Sequence, residues 1–65
     1  MEIRVNGEVI ATDASSLYEL IVSMGLDPTR VAAELNGSIV PRAEFNDTAV
    51  KNGDSLEIVH FVGGG

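Results

Sequence analysis

The chain has 65 residues, enough for one small domain. It has no cysteine and one histidine, His60, so we expect an apolar core, and neither a disulfide nor a metal, to stabilise it. Ten acidic residues against four basic ones give a net charge of −6. This balance argues against binding a nucleic-acid backbone or an anionic membrane. It suits either a basic protein partner or plain solubility.

The sequence pattern predicts no targeting signal. No apolar run approaches the roughly 18 residues of a membrane-spanning helix. The opening residues, Met1 to Arg4, lack the basic and apolar regions of a signal peptide. We therefore expect a cytoplasmic protein without a membrane partner.

The first segment, residues 2–12, predicts a β-hairpin. Ile3 and Val5 alternate with polar residues, which is the period of a half-buried strand. Asn6-Gly7 follows, and this dipeptide is typical of a type I′ turn, in which both central residues have positive φ. The alternation then resumes up to Thr12.

A helix is predicted next. Ser16 and Glu19 have the spacing of a capping box, in which each side chain accepts from the other's backbone N–H. Gly25 stands where a left-handed helix end belongs, and Asp27-Pro28 bars continuation of the helix. One apolar stripe at helical spacing connects these signals: Leu17, Leu20, Ile21 and Met24.

A second hairpin is predicted between residues 31 and 40. Apolar residues alternate up to Leu35, and Asn36-Gly37 supplies the turn. Ile39 and Val40 form the returning strand, and Pro41 places it at an edge or strand end.

The last predicted strand, residues 56–61, is apolar on both faces. Leu56 and Ile58 lie on one face, and Val59 and Phe61 lie on the other. A strand of this kind is usually central in its sheet.

Two connections separate the second hairpin from this strand. Residues 42–47 predict a polar or short helical turn anchored by Phe45, and Asn52-Gly53-Asp54 predicts a tight turn. The order ββαββ followed by β indicates an α+β fold. We expect a mixed sheet with one main helix packed across it and the first and last strands adjacent in its middle.

No catalytic constellation is evident. His60 has no partner for a triad or a metal site, and the carboxylates are too scattered to define an acid–base pair. The hydroxyls of Ser15 and Ser16 are explained by helix capping. We therefore predict no catalytic residue, no metal and no bound cofactor.

The final glycines are the candidate functional feature. Four of the seven glycines fall at predicted turns or at the helix end, but Gly63, Gly64 and Gly65 serve neither purpose. Extended together with Val62, they reach about 13–14 Å, and without side chains they could enter a narrow channel. A carboxylate there needs activation, such as adenylation by ATP, before a sulfur or amine attacks it. A frayed end or a cloning remnant is the alternative.

Three segments of the chain carry a family resemblance. They are Leu35 to Arg42, Lys51 to Val59 with its Asn-Gly-Asp turn, and Phe61 to Gly65. In this order and spacing they resemble the ubiquitin-like β-grasp sulfur carriers, and most closely those of thiamine biosynthesis. Residues 1–7 and the overall length also fit, so the resemblance covers essentially the whole chain.

The resemblance implies a protein co-substrate and not an enzyme. Gly65 would bear the carboxylate that an E1-like adenylating enzyme activates with ATP, and Gly64 would complete the diglycine motif, with Gly63 an extra glycine. A sulfur donor system would then give a thiocarboxylate, which thiazole synthase would consume. Residues 1–62 would form the β-grasp domain and residues 63–65 a flexible tail.

The apolar residues beside the tail are candidates for partner docking. An exposed cluster of Val59, Phe61 and Val62 would suggest an interface, although core packing of Val59 and Phe61 is the competing interpretation. Arg42 could contact a partner or cap the end of a strand.

Three other functions stay open at this point. The carrier of molybdopterin synthesis is related, but it would be somewhat longer and would stay bound to a catalytic subunit. A protein modifier would join Gly65 to a target lysine, although Lys51, the chain's single lysine, leaves little scope for building chains. A non-covalent β-grasp interaction module would not need the tail at all.

Overall fold

The computed structural model describes residues 1–61, which fold into a five-stranded sheet with one helix against it. The regular elements include two short 3-10 helices, Pro28–Arg30 and Arg42–Asp47. The strands and the α-helix are β1 (Glu2–Val5), β2 (Glu8–Ala11), α1 (Leu17–Ser23), β3 (Val31–Leu35), β4 (Ser38–Val40) and β5 (Ser55–His60). None of the helices in this part of the chain is long and apolar enough to cross a membrane.

The strand order is β2-β1-β5-β3-β4. β1 and β5 run parallel, and the other neighbouring pairs are antiparallel. The last strand therefore lies at the centre beside the first, and β4 lies at an edge. This arrangement confirms the predicted α+β fold with a mixed sheet.

Both hairpins turn on an Asn-Gly pair. Asn6 and Asn36 have φ values of 49° and 50°, and the following Gly7 and Gly37 have φ values of 86° and 88°. Positive φ at both central residues is the backbone of a type I′ turn, whose twist matches that of the flanking strands. The dipeptides thus set the register of β1 with β2 and of β3 with β4.

The start of α1 follows the predicted capping with one difference. The Ser16 side chain caps the helix by accepting from the backbone N–H of Glu19 at 3.1 Å. The Glu19 carboxylate does not return to Ser16. It accepts from the backbone N–H of Ser15 at 3.2 Å and from the Ser15 hydroxyl at 3.1 Å. The prediction of a reciprocal box was wrong by one residue, because a second serine precedes the cap.

The end of α1 is the predicted left-handed cap. Gly25 has a φ of 79°, and its N–H donates to the Val22 carbonyl at 3.0 Å. The Leu26 N–H donates to the Ile21 carbonyl at 3.2 Å. These two bonds form a Schellman motif, which satisfies the last carbonyls of the helix.

The core lies between α1 and one face of the sheet. Leu17, Leu20 and Ile21 of α1 are fully buried, which confirms most of the apolar stripe, while Met24 is partly buried at its edge. Phe45 of the second 3-10 helix closes the core and is 1% exposed, which confirms its predicted anchoring role. The other buried members are Ile3, Val5, Ala14, Val31, Ala33, Val50, Leu56 and Ile58.

Candidate functional site

The candidate site begins where β5 leaves the sheet. β5 is hydrogen-bonded between β1 and β3, and beyond its last residue the backbone N–H of Phe61 donates to the Arg30 carbonyl at 2.7 Å. The chain therefore leaves from the centre of the sheet and is held up to Phe61. The predicted tail residues Gly63, Gly64 and Gly65, and the predicted docking residue Val62, lie outside the described residues.

Val59 and Phe61 face away from the core. Val59 is 58% exposed and Phe61 is 55% exposed, so the core-packing interpretation of both residues is wrong. The physical reason is that α1 and the second 3-10 helix cover the opposite face of β5, where Leu56 and Ile58 are buried. β5 is thus a central strand with one apolar face buried in the core and the other apolar face exposed.

Further residues on the open face extend this surface. Glu34 of β3 lies directly opposite Ile39 of β4 on one side and Glu57 of β5 on the other. Ile39 is 77% exposed, and a shallow depression is lined by these side chains together with Val59 and Ala32. The surface therefore combines aliphatic side chains with two adjacent carboxylates.

The two carboxylates form an unfavourable pair within the chain. Like charges directly opposite each other on neighbouring strands are destabilising. In the described part of the chain, neither Glu34 nor Glu57 has an ion-pair partner, since the ion pair found there joins Arg30 to Asp27. A basic group on another molecule would relieve this repulsion.

Sequence reasoning missed the paired carboxylates and Ile39. The alternation in β3 and the Asn36-Gly37 turn together place Glu34 opposite Ile39, so this half of the surface could have been found. The pairing of Glu34 with Glu57 depends on the register between β3 and β5, which no local turn specifies.

Arg42 is engaged with the backbone. Its Nε donates to the Pro28 carbonyl at 3.2 Å, and a terminal guanidinium nitrogen donates to the Val31 carbonyl at 3.4 Å. These carbonyls flank the start of β3, so the strand-end interpretation describes the observed contacts. Arg42 also holds the segment whose Arg30 carbonyl receives the Phe61 N–H, and it thereby supports the backbone just after β5.

Asp27 stabilises the same segment at its start. Its carboxylate accepts from the Thr29 hydroxyl at 2.7 Å and from the Thr29 backbone N–H at 2.9 Å, and it lies 3.7 Å from the Arg30 guanidinium. These hydrogen bonds, the one from the hydroxyl first, and then the positive charge of Arg30 lower the pKa of Asp27 from its ordinary value of 3.8. Each contact favours the ionised carboxylate.

We predict that Asp27→Asn changes the acid stability of the fold. A carboxyl whose pKa is lower in the folded chain contributes stability above its unfolded pKa, and the contribution disappears as the pH falls through the folded value. The variant should therefore be less stable than the parent at neutral pH. The difference should shrink as the pH falls below about 4 and disappear once the pH is below the lowered pKa of Asp27. Urea unfolding measured across this range checks the prediction.

Asp13→Asn is the matched control for this experiment. Asp13 is exposed and makes no hydrogen bond or ion pair within residues 1–61, so its substitution should leave the pH profile of stability unchanged. A parallel shift of the Asp27→Asn profile at all pH values would contradict the prediction.

His60 is the single histidine of the chain. It ends β5 opposite Val31 and is partly buried, as expected for a histidine at a strand end. Residues 1–61 contain no cluster of three His, Cys, Asp or Glu side chains that could hold a metal ion. Among the described residues, the geometry presents an open, partly apolar face beside the end of β5.

Comparison with known proteins identifies relatives of this chain by sequence. The chain is 44% identical over its whole length to a thiazole synthase of Paramagnetospirillum magneticum, and it covers 20% of that protein. It is 31% identical to the sulfur carrier protein ThiS of Bacillus subtilis, with 97% of this chain and 98% of that protein covered. The chain thus spans about a fifth of the length of the thiazole synthase and nearly all of the carrier.

The structural comparison agrees. The crystal structure of the thiamine biosynthesis protein ThiS from Geobacter metallireducens superposes with a TM-score of 0.83 at 35% sequence identity, and both chains are covered completely. The ThiS family model matches residues 2–65, which includes the terminal glycines. The chain therefore belongs to the ThiS family, the sulfur carriers of thiamine biosynthesis.

Proposed function

We propose that the chain carries sulfur on the carboxylate of Gly65, as a protein co-substrate for thiazole formation. The central strand β5 ends at His60, with two residues between it and the final glycines in the sequence, and this observation carries the proposal. The carrier of Bacillus subtilis and the Geobacter protein, which match this chain over nearly their whole length, support a carrier role. From Val62 onward the four remaining residues span at most about 13–14 Å.

The proposed chemistry begins with activation of the carboxylate. A Gly65 oxygen attacks the α-phosphorus of ATP in a partner enzyme, the bond to pyrophosphate breaks, and an acyl adenylate forms. A sulfur nucleophile from a donor system then attacks the acyl carbon and AMP leaves. With the sulfur delivered as the hydrosulfide ion, HS⁻, the new C–S bond replaces the bond to AMP, and loss of the sulfur-bound proton leaves a thiocarboxylate on Gly65. The chain contributes the electrophilic carbon and a backbone without Cβ atoms, while the E1-like partner binds ATP, so the chain itself needs no cofactor.

The proposed consumer of the sulfur is thiazole synthase. The thiazole synthase of Paramagnetospirillum magneticum contains a segment 44% identical to this chain, which supports a functional link between carrier and synthase. ATP-dependent activation suits a cytoplasmic protein. A domain of residues 1–62 followed by a tail of residues 63–65 completes the proposal.

Docking is proposed to use the open face beside the tail. Val59 and Phe61 are more than half exposed and lie next to the exit of the chain, so an enzyme that takes up the tail would also cover them. Val62 continues this apolar cluster in the sequence. Arg42 supports the same region through the backbone and could also contact the partner. Basic groups on the enzyme would complement Glu34 and Glu57.

The activation step can be tested with a candidate E1-like adenylating enzyme. The purified chain should stimulate exchange of labelled pyrophosphate into ATP by that enzyme. No stimulation by a folded chain whose mass confirms Gly65 as the last residue would contradict the proposal. A stable isopeptide bond to another protein would instead indicate a protein modifier, and sulfur transfer to a molybdopterin-forming subunit would indicate the related carrier.

We predict that Glu57→Lys separates stability from docking. The substitution turns the repulsive pair with Glu34 into an attractive one, which should raise the free energy of unfolding by about 0.2–1 kcal/mol. The same change should weaken binding to the adenylating enzyme, and the loss should shrink at high salt. Urea unfolding and binding measured at two salt concentrations check both effects.

Glu8→Lys gives the control with the same change in net charge. Glu8 is exposed on β2, at the other edge of the sheet, so its substitution should leave docking largely intact. Equal losses of binding for the two variants would mean that net charge, and not the open face, controls the association.

A further inference from the structure

The three Asn-Gly dipeptides share a reactivity that their turns do not require. The backbone nitrogen of the glycine can attack the asparagine side-chain carbonyl carbon. The new C–N bond closes a succinimide ring, and the side-chain nitrogen leaves as ammonia. Water then opens the ring to aspartate or isoaspartate, without any oxidant or enzyme. Glycine favours this attack because it has no Cβ to obstruct the nucleophile.

Asn6 is held on the central strand. Its Oδ1 accepts from the Ile58 N–H at 2.8 Å, and its Nδ2 donates to the Ile58 carbonyl at 3.1 Å. Both bonds are partly buried, and they continue the hydrogen-bonding pattern of β1 along β5. The side chain cannot turn towards the Gly7 nitrogen unless the centre of the sheet opens, which requires a large fraction of the unfolding free energy.

Both the oxygen and the nitrogen of the Asn36 side-chain amide are also hydrogen-bonded. Its Oδ1 accepts from the Ser55 N–H at 2.9 Å, and its Nδ2 donates to the Asp54 carboxylate at 3.0 Å. Its own backbone N–H donates to the Ser55 carbonyl at 2.8 Å. Reaction at Asn36 therefore requires that β3 separates from the start of β5.

Asn52 is held differently. Its Oδ1 accepts from the Glu2 N–H at 2.8 Å, and the Gly53 N–H, the attacking group, donates to the Glu2 carbonyl at 2.8 Å. The departing Nδ2 group donates no hydrogen bond within residues 1–61. Both hydrogen bonds that restrain Asn52-Gly53 are thus made by Glu2, the first residue of β1. Strand ends open at a low cost in free energy.

We propose that Asn52 is a site of spontaneous deamidation in the folded chain and that the fold protects Asn6 and Asn36. A brief opening at Glu2 frees the carbonyl carbon and the nucleophile of Asn52-Gly53 together. At Asn6-Gly7 and Asn36-Gly37, the side-chain carbonyl carbon and the glycine nitrogen can meet only after contacts to β5 are lost.

Deamidation of Asn52 should lower the stability of the fold without changing the chemistry of the tail. The Lys51–Asp54 turn is closed by a bond of 3.0 Å from the Asp54 N–H to the Lys51 carbonyl, and isoaspartate would lengthen its backbone by one carbon. The turn precedes β5, whereas the tail follows the strand's other end. The modified chain should therefore unfold more easily while its terminal carboxylate keeps its reactivity.

Incubation of the purified protein in mildly alkaline buffer tests the proposal. Peptide mapping by mass spectrometry should show conversion at Asn52 roughly tenfold or more faster than at Asn6 and Asn36 in the folded protein. In denaturant the three sites should react at similar rates. Conversion of Asn6 or Asn36 as fast as Asn52 under folding conditions would overturn the proposal, as would an unreacted Asn52.

Asn52→Gln provides a second measurement. Glutamine keeps the amide in this exposed turn but closes the corresponding ring far more slowly. The variant should lose the acidic species that accumulates on ion exchange, and its formation at the parental rate would overturn the assignment. These readouts involve neither ATP nor sulfur, so they do not depend on the proposed carrier function.

Discussion

Deletion of Gly64 and Gly65 is expected to abolish adenylation and sulfur loading while leaving the fold intact. Among residues 1–61 the last core residue in the chain is Ile58, and the backbone N–H of Phe61 donates to the Arg30 carbonyl, so the deletion removes none of these contacts. The deletion shortens the reach of the tail by about 7 Å, at 3.3–3.6 Å per residue. We expect an unchanged thermal unfolding curve and no acyl adenylate.

Single substitutions in the tail sharpen this prediction. Gly64→Ala places a Cβ next to the reacting residue, where a narrow channel should exclude it, and should reduce activation strongly. Gly63→Ala is the matched control, because the diglycine motif does not require this glycine. Equal activity of the Gly64 variant and the parent would mean that the tail does not enter a confined site.

Phe45→Ala is expected to remove a large part of the stability of the fold, whereas Phe61→Ala is not. These are the chain's two phenylalanines, and they are 1% and 55% exposed. Removing a buried phenylalanine costs about 3–5 kcal/mol. A chain of 65 residues has a total stability of only about 3–10 kcal/mol, at 0.05–0.15 kcal/mol per residue. Urea unfolding followed by circular dichroism gives the free energy of unfolding of both variants.

Phe61→Ala should change stability by less than about 0.5 kcal/mol, as is usual for surface substitutions. Under the proposed docking it should instead weaken the complex with the adenylating enzyme. A large loss of stability in Phe61→Ala would show that this ring packs in the folded state, and unchanged binding would remove it from the docking face.

The fold was largely predictable because its signals are local. The Asn6-Gly7 and Asn36-Gly37 pairs require type I′ turns, and the serine cap and Gly25 mark the ends of α1. The central place of β5 followed from its apolar residues. The capping contact of Glu19 was misassigned, because Ser15 and Ser16 both offer a backbone N–H and spacing alone does not choose between them.

Of the candidate site, only the features fixed by the order of residues along the chain could be predicted from the sequence. The glycines stood out because turns and caps explained the other four. The exposure of Val59 and Phe61 depends on which face of the sheet the helix covers, and the contact between Glu34 and Glu57 depends on the register of distant strands. Arg42 binds carbonyls of a segment remote in sequence, so its supporting role could not be inferred from its neighbours.

The central claim is that Gly65 accepts sulfur through an activated carboxylate, and the intact mass tests it most directly. The folded chain is incubated with its adenylating enzyme, ATP and a sulfur donor, and the mass is compared with that of a sample lacking ATP. We predict an ATP-dependent gain equal to the replacement of one oxygen by sulfur, located on the C-terminal peptide. No gain despite adenylation, or a gain located elsewhere in the chain, would contradict the claim.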